Sequence, residues 1–343
     1  MEKYGYRFSF GPWNIHEGAD PFGPPVRPAR SFADKLAVYK ELGFDAVQFH
    51  DDDVVPDLEQ LSPAQIREQA RAWRELLADH GLAAEFVAPR LWEHPNGIDG
   101  PFTAHDAEVR QWAIERSKRA VDIMNELGVD LMVLWLAREG TYLREAKDAV
   151  LATQRLLDAV NALLTYDPGL RIAIEPKPNE PMDLAYLPTI GHGLALGMQS
   201  DDPDRVGVLM ESAHAILAGL DPADEIAFAM TFDKLWSVHL NDQNGLKFDQ
   251  DRTFGAVDLR RAFNQVRVLD EQRYWEVGMV GLDVKAIRTQ KPEVATKHLR
   301  NSLQIFLRLV EVVRSLDRAT IQELREARDY EELDWLILNT LLD

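Results

Sequence analysis

Short apolar runs alternate along the chain with longer stretches in which apolar residues recur at helical spacing. Eight of these runs have the length and the β-branched or aromatic content of buried strands. They occupy residues 6–11, 45–50, 83–88, 130–135, 170–175, 206–211, 235–239 and 278–283. Strands that alternate with helices predict a parallel sheet wrapped by helices, and eight strand-helix units in roughly 300 residues fit a single (β/α)8 TIM barrel of the α/β class.

The helical stretches have recognisable ends. Ser62 begins one helix and Gly81 lies just past its end, while another helix begins near Thr103. The last part of the chain, LDRATIQELREARDYEELDWLILNTLLD, predicts one or two amphipathic helices outside the barrel. We therefore expect a catalytic barrel over residues 1–315 and a short C-terminal helical extension over residues 316–343.

Composition limits the chemistry available to this chain. Apolar residues make up 46% of its 343 residues, which is enough for a sizeable core. No run of about 18 apolar residues occurs and no export signal is visible at the start, so we expect a cytoplasmic protein without membrane contact. Because cysteine is absent, a metal would have to be bound by carboxylates, imidazoles, amides or water. The net charge of -19 disfavours nucleic acid as a partner and favours a neutral small molecule.

Residues able to bind a metal close most of the predicted strands. Five strands end in such a residue: His50, Glu175, Glu211, His239 and Asp283. A polar side chain at one strand end is unremarkable by itself. In a closed barrel, however, the carboxyl ends of all strands converge on the face that carries the active site. We interpret the five residues as parts of one shared site.

Five motifs follow one another along the chain: FHDDDVVP, EPKPNEP, ESAH, LNDQNGLKFDQD and GLDVK. In this order and approximate spacing they resemble the motifs of the xylose isomerase family of metal-dependent sugar isomerases. The resemblance covers residues 6–290 and therefore nearly the whole predicted barrel. It implies a monosaccharide as the substrate and two divalent metal ions per subunit, with Mg, Mn or Co as candidates.

The resemblance also implies which residues bind the metals. The positions that match the ligands of the first metal are Glu175, Glu211, His239 and Asp283. The positions that match the ligands of the second metal are Glu211, His214, Asp249 and Asp251. Glu211 and His214 lie three residues apart at a strand exit, so that one helical turn lets both side chains approach the same pair of ions.

His239 is the main departure from the family, which has a carboxylate at this position. An imidazole removes one negative charge, which should weaken the hold on Mg and favour borderline ions such as Mn, Co or Zn. A site of two glutamates, a histidine and an aspartate is similar to the sites of rhamnose isomerases and ketose 3-epimerases. The identity of the sugar therefore stays open.

Catalytic roles follow from the resemblance and from side-chain chemistry. His50 and Asp53 match an imidazole that contacts the ring-oxygen region of the sugar and an aspartate that fixes its tautomer, a pair suited to proton transfer during ring opening. Lys177 lies two residues after Glu175 and is expected to donate to the carbonyl oxygen of the open-chain sugar. Lys285 is expected to pair with nearby carboxylates and has no catalytic role.

Aromatic residues are expected to keep water away from a hydride that moves between C1 and C2 of the sugar. The residues that match the family's apolar walls and its subunit contact are Trp13, Trp92, Trp135 and Phe22. Because the matching phenylalanine reaches the site of a neighbouring subunit, Phe22 predicts at least a homodimer and favours a homotetramer. Ala88 replaces a hydroxyl-bearing residue of the family and Arg90 replaces an amide, so a contact to a sugar hydroxyl is lost or moved.

These observations favour an aldose-ketose isomerase that acts on an unphosphorylated pentose or hexose by a metal-assisted 1,2-hydride shift. One alternative is an epimerase or isomerase with the same barrel that works through an enediolate, with Glu175 and Glu211 exchanging the proton. A metal-dependent phosphodiesterase is a second alternative, against which the acidic balance of the chain counts. A third is a non-catalytic sugar-binding protein, for which the array of ligand residues would be superfluous.

Overall fold

The structure is a computed structural model that describes residues 2–246 and 248–342. Met1 and Asp343, the outer limits of the two predicted domains, lie outside the described residues. Lys247, in the motif LNDQNGLKFDQD, also lies outside them.

Eight parallel strands form a closed barrel in which β1 pairs with both β2 and β8. The strands are β1 (Phe8–Phe10), β2 (Ala46–His50), β3 (Ala83–Ala88), β4 (Leu131–Trp135), β5 (Arg171–Glu175), β6 (Val206–Glu211), β7 (Leu235–Leu240) and β8 (Val280–Leu282). Every strand overlaps a run predicted from the sequence, so the predicted TIM barrel is confirmed. The last strand ends at Leu282, which leaves Asp283 one residue beyond the sheet.

Helices pack outside the barrel between the strands and after the last one. They are α1 (Phe32–Leu42), α2 (Asp51–Val54), α3 (Pro63–Asp79), α4 (Ala107–Leu127), α5 (Ala149–Tyr166), α6 (Ile190–Met198), α7 (Ser212–Leu217), α8 (Pro222–Thr231), α9 (Leu259–Glu271), α10 (Lys297–Ser315), α11 (Arg318–Ala327) and α12 (Tyr330–Leu342). A short antiparallel ribbon joins Gly140–Thr141 to Leu184–Ala185. No helix within the described chain combines the length and hydropathy needed to cross a bilayer.

Side-chain caps explain where the helices begin. The Ser62 side chain accepts a hydrogen bond from the backbone of Gln65 and starts α3 as predicted. The next long helix begins after Asp106, which caps it, and not near Thr103. Thr103 is buried and donates its hydroxyl to Glu139 at 2.6 Å, which keeps it out of the helix.

The two tail helices, α11 and α12, follow α10 and agree with the predicted C-terminal helices. A domain boundary between residues 315 and 316 stays a prediction.

Two apolar clusters lie on the two sides of the sheet. The larger one fills the space between the strands and the helices and includes the stacked rings of Phe10 and Tyr39, whose centroids are 3.6 Å apart. The smaller one is formed by inward-facing residues of the barrel, among them Phe86, Val133 and Trp236. The barrel is therefore packed in its interior, and the space for a ligand lies at the carboxyl ends of the strands.

Candidate metal centre and surrounding cavity

A cavity of about 780 Å³ opens at the carboxyl ends of the barrel strands. Most of the residues proposed from the sequence line it: Trp13, His50, Trp92, Trp135, Glu175, Lys177, Glu211, His214, His239, Asp249, Asp251 and Asp283. Asp53 and Phe22 are not among the lining residues. Because these side chains come from strand ends and from the segments that follow them, far apart in the sequence, the barrel is what brings them together.

Glu211 lies at the centre of the ligand-type residues. It is the last residue of β6, and His214 follows it in the first turn of α7. Glu211 belongs to three groups of residues, and within each group one donor atom per residue lies within 4.8 Å of the others. The other members are Glu175 and His214 in the first group, His239 and Asp283 in the second, and Asp249 and Asp251 in the third. The second and third groups match the two metal sites expected from the sequence in three of four ligands each. The first group joins Glu175, which was expected at the first metal, to His214, which was expected at the second, and therefore matches neither site alone.

Two imidazole nitrogens face Glu175 without bonding it. Nδ1 of His214 lies 3.7 Å and Nδ1 of His239 lies 3.6 Å from Oε1 of Glu175. Both nitrogens, and Oδ1 of Asp249, are buried and have no hydrogen-bond partner among the described residues. Buried polar atoms are normally paired, so unpaired donors that converge on one space indicate a ligand. Carboxylate and imidazole donors of this kind fit a hard or borderline divalent cation.

Asn241 was not identified from the sequence, and it holds the ligand residues together. Its amide nitrogen donates to Glu211 at 2.9 Å, to Asp251 at 3.2 Å and to the backbone oxygen of Asp283 at 3.0 Å. Its side-chain oxygen accepts from the backbone of Ala213 at 2.7 Å. Asn241 lies one residue beyond the end of β7 and two residues after His239. In an extended chain this spacing puts two side chains on the same side, which is the sequence signal that could have found Asn241.

Two lysines partly offset the negative charge of the cluster. Nζ of Lys177 lies 3.0 Å from Oδ2 of Asp249, and Lys285 pairs with Asp251, as expected from the sequence for Lys285. Burial lowers the pKa of Lys177, but the nearby carboxylates outweigh burial and raise its pKa above the ordinary value. Burial and the neighbouring Asp249 raise the pKa of Asp251 well above its ordinary value. Negative charge crowded in this way favours the binding of a cation.

Aromatic rings form one wall of the cavity. The centroid of Trp92 lies 4.5 Å from that of Trp135 and 5.1 Å from that of the His50 ring, which also contacts Trp13 at 4.3 Å. Nε1 of Trp13 donates to Asp283 at 2.9 Å. This tryptophan therefore joins the apolar wall to the ligand cluster and fixes the position of Asp283.

His50 lies in a different polar network from the metal ligands. Its Nδ1 is 3.1 Å from Oδ2 of Asp53, so the two residues are in contact as expected. A terminal nitrogen of Arg90 lies even closer to the same atom, at 2.7 Å. The same guanidinium bonds Asp52 at 2.8 Å and Asp53 at 3.2 Å. From the sequence, Arg90 was identified only as a replacement for an amide of the family, and its contact with His50 was not predicted.

Phe22 lies outside the cavity and is 87% exposed. It belongs to a tight turn in which the backbones of Asp20 and Gly23 exchange two hydrogen bonds. Asp20 and Pro21 of the same turn do line the cavity. The turn therefore holds the phenylalanine away from its own barrel.

The barrel and the ligand cluster at its carboxyl face define the class to which the protein belongs. Residues 36–303 match the model of the xylose isomerase-like TIM barrel, and the chain belongs to that family. The resemblance drawn from the five sequence motifs is confirmed.

Solved structures with the same fold are distant in sequence. A D-tagatose 3-epimerase-like protein is 17% identical with a TM-score of 0.65, and the match covers 89% of this chain and 98% of that one. A xylose isomerase domain protein from Alicyclobacillus acidocaldarius is 15% identical with a TM-score of 0.62, covering 90% and 99%. A D-psicose 3-epimerase in the presence of D-fructose is 14% identical with a TM-score of 0.63, covering 89% and 99%. These similarities concern the fold.

Proposed function

We propose that the protein is an aldose-ketose isomerase that acts on an unphosphorylated pentose or hexose by a 1,2-hydride shift and depends on two divalent metal ions. The observation that carries the proposal is the position of Lys177. Its ammonium group contacts Asp249 of the ligand cluster at 3.0 Å and lies 5.1 Å above the ring of Trp135 in the aromatic wall. A cation between a metal centre and an apolar wall suits the carbonyl oxygen of an open-chain sugar.

The proposed metal ligands are Glu211 and the six residues grouped with it: Glu175, His214, His239, Asp249, Asp251 and Asp283. Divalent ions bound there would supply Lewis-acid polarisation of neighbouring sugar oxygens. Asn241 orients Glu211 and Asp251, and Trp13 orients Asp283. These contacts fix the donor atoms before an ion arrives.

The remaining roles belong to the wall and to the polar side chains at its edge. Lys177 donates to the carbonyl oxygen and stabilises the negative charge that develops there. The rings of Trp13, Trp92 and Trp135 exclude water, so that a hydrogen moving between C1 and C2 does not exchange with solvent. His50 contacts both Trp13 and Trp92 and hydrogen-bonds a sugar oxygen from the same side.

An epimerase or isomerase that forms an enediolate is the second candidate. The histidine at position 239 favours it, and so do the names of two structural neighbours, which are a D-tagatose 3-epimerase-like protein and a D-psicose 3-epimerase. Its proton would be exchanged by Glu175 and Glu211. Against it, Oε1 of Glu211 already accepts from Asn241, and Oε2 lies 3.5 Å from His239. A glutamate committed in this way is a better metal ligand than a base.

A single set of assays tests both candidates. The protein is stripped with EDTA, metal removal is verified by elemental analysis, and a panel of aldoses and ketoses is assayed after Mg, Mn or Co is added back. We expect no turnover without metal and restored turnover with it. In deuterated water, a hydride shift leaves the carbon atoms of the product free of deuterium, whereas an enediolate introduces deuterium at the reacting carbon. Full activity of the metal-free protein would contradict the proposal.

A further inference from the structure

The Nδ1 atom of His50 has two polar neighbours that compete for it. Asp53 offers a carboxylate oxygen at 3.1 Å, and Arg90 offers a terminal guanidinium nitrogen at 2.7 Å. If Nδ1 carried a proton, that proton could be donated to Asp53. The nitrogen of Arg90 would then face an N–H group at hydrogen-bond distance, which is repulsive.

The chemistry of arginine decides between the two arrangements. A guanidinium remains protonated and has no lone pair with which to accept a hydrogen bond. A contact of 2.7 Å between Arg90 and Nδ1 is therefore a hydrogen bond from arginine to a lone pair on the imidazole. It follows that the proton of the neutral ring is on Nε2.

Asp53 does not need the ring proton. Its Oδ2 accepts from the backbone N–H of His50 at 2.9 Å, and its Oδ1 accepts from Arg90 at 3.2 Å. Arg90 is itself held by Asp52 at 2.8 Å and approaches Glu93 at 3.4 Å. The guanidinium is thus fixed by several carboxylates in the orientation that directs one nitrogen at His50.

The other nitrogen of the ring is available to a ligand. Nε2 of His50 makes no hydrogen bond within the described chain. It differs from the unpaired nitrogens of His214 and His239 in that it is not fully buried, and His50 lines the cavity. Trp13 and Trp92 contact the ring and limit its rotation. A substrate in the cavity therefore meets the N–H group of a fixed imidazole.

The geometry points to Arg90 as a positioning residue that holds His50 in the Nε2–H tautomer, so that His50 serves the substrate as a hydrogen-bond donor and not as a group that takes up a proton. The role toward the substrate rests on the proposed function, whereas the tautomer does not. It revises the role expected from the sequence, in which Asp53 fixed the tautomer and the imidazole transferred a proton. Proton removal during ring opening then has to be carried out by solvent or by another group.

The tautomer can be measured directly by NMR. In protein labelled with ¹⁵N-histidine, the signals of His50 are assigned by their loss in His50→Gln. We expect the chemical shift of an unprotonated nitrogen for Nδ1 and of a protonated one for Nε2. In Arg90→Met the proton should move to Nδ1, where Asp53 accepts it. Glu93→Gln is the matched control, because it changes an exposed neighbour of Arg90 and should leave the tautomer unchanged.

A protonated Nδ1 in the wild-type protein would overturn the inference, and this measurement stands even if Arg90→Met does not fold. An unchanged tautomer in folded Arg90→Met would also overturn it.

Kinetics test the consequence for the substrate. The side-chain nitrogen of Gln reaches about as far as Nε2 of histidine and that of Asn about as far as Nδ1. We expect His50→Gln to keep kcat/KM within about tenfold of wild type and His50→Asn to lose about 10²-fold or more, as when one positioned hydrogen-bond donor to a reacting oxygen is removed. Equal large losses in both variants would show that His50 transfers a proton. If no sugar is turned over at all, the proposed function fails while the NMR result still decides the role of Arg90.

Discussion

The Nε2 atom of His239 lies 3.2 Å from the side-chain oxygen of Gln48, and this contact determines which imidazole nitrogen faces the ligand cluster. The amide nitrogen of Gln48 donates to Glu85 at 3.0 Å, so the amide oxygen is left to accept from His239. Nδ1 of His239 then faces Glu175 and Glu211, at 3.6 and 3.5 Å. Residues that orient a metal-binding imidazole through its second nitrogen influence metal affinity strongly.

We predict that Gln48→Leu weakens metal binding by about 10- to 100-fold, because His239 loses the acceptor that orients it. Calorimetric titration of the metal-free protein with Mn measures the change. Ser237→Ala is the control, since Ser237 donates to the same Glu85 at 2.9 Å and does not hydrogen-bond His239. Equal affinities of Gln48→Leu and wild type would mean that the amide does not orient a ligand.

His239 itself gives a prediction about metal preference. His239→Asp restores a carboxylate at this position and should shift preference toward Mg, which favours oxygen ligands, at the expense of Mn. His239→Ala should lower metal affinity and activity together. Titrations of both variants and the wild type with Mg and Mn distinguish the outcomes. Unchanged stoichiometry and affinity in His239→Ala, with a higher KM, would remove the imidazole from the coordination of the metal.

Lys177 should separate catalysis from metal binding. We expect Lys177→Met to reduce kcat by about 10²- to 10³-fold, the effect of losing one group that stabilises developing negative charge. Metal affinity should be equal or higher, because Asp249 no longer has a competing cation at 3.0 Å. Lys285→Met is the matched control: it frees Asp251 in the same way and should leave kcat much less affected. A kcat that falls equally in both variants would assign Lys177 a purely structural role.

The sequence was sufficient for the barrel and for the convergence of ligand-type residues at its rim, whereas metal binding by these residues stays a prediction. Apolar runs fixed the strands, and the residues that close those runs, such as Glu175 and Glu211, converge because parallel strands of a barrel end on one face. Local capping was predicted less accurately, as at α4, where burial of Thr103 moves the helix start to Asp106. A tertiary contact there prevails over a local signal.

Two of the residues that support the site, Arg90 and Glu85, could not be predicted, because their partners are set by long-range packing. Arg90 meets His50 only after β3 pairs with β2, and the two residues are 40 positions apart. Glu85 lies where the register between these strands shifts, with Val47 opposite Ala84 but Phe49 opposite Val87. A bulge redirects side chains in a way that alternation along a strand does not reveal.

A buried histidine outside the candidate site gives the protein a predictable pH dependence. His298 hydrogen-bonds the backbone oxygen of Asn14 at 3.0 Å, and burial lowers its pKa from 6.5 to about 4. The unfolded chain therefore binds a proton between these values that the folded protein does not, and stability is lost as the pH falls through this window. His298→Gln retains a donor and does not titrate. We expect the unfolding free energy of wild type minus that of His298→Gln to fall by roughly 1–3 kcal/mol between pH 7 and pH 4.

Chemical denaturation in the presence of EDTA measures this difference. The chelator keeps metal release from adding its own pH dependence. His105→Gln, at an exposed position, is the control and should follow the wild type at each pH. Parallel curves for wild type and His298→Gln would contradict the prediction.

Phe22 predicts that the protein associates through the loop after β1. The side chain is 87% exposed, yet the turn that carries it is fixed by backbone hydrogen bonds between Asp20 and Gly23 and by the contact of Arg288 with the Gly18 carbonyl. Burial of a phenylalanine side chain contributes roughly 1.5–3 kcal/mol relative to its exposure in water. A rigid loop that exposes the ring forgoes this stabilisation, and a partner subunit that covers the ring provides it. We expect at least a dimer in light scattering at micromolar concentration, and weaker association of Phe22→Ser.

The matched control is Val150→Ser, which changes another apolar residue that is 82% exposed but lies on α5 and does not line the cavity. It should leave association unchanged. If the ring enters a neighbouring cavity, Phe22→Ser should also raise KM for the sugar, because that cavity loses an apolar side chain from its wall. An active wild-type monomer at micromolar concentration would show that each cavity is complete by itself, and association without a change in KM would confine Phe22 to the contact between subunits.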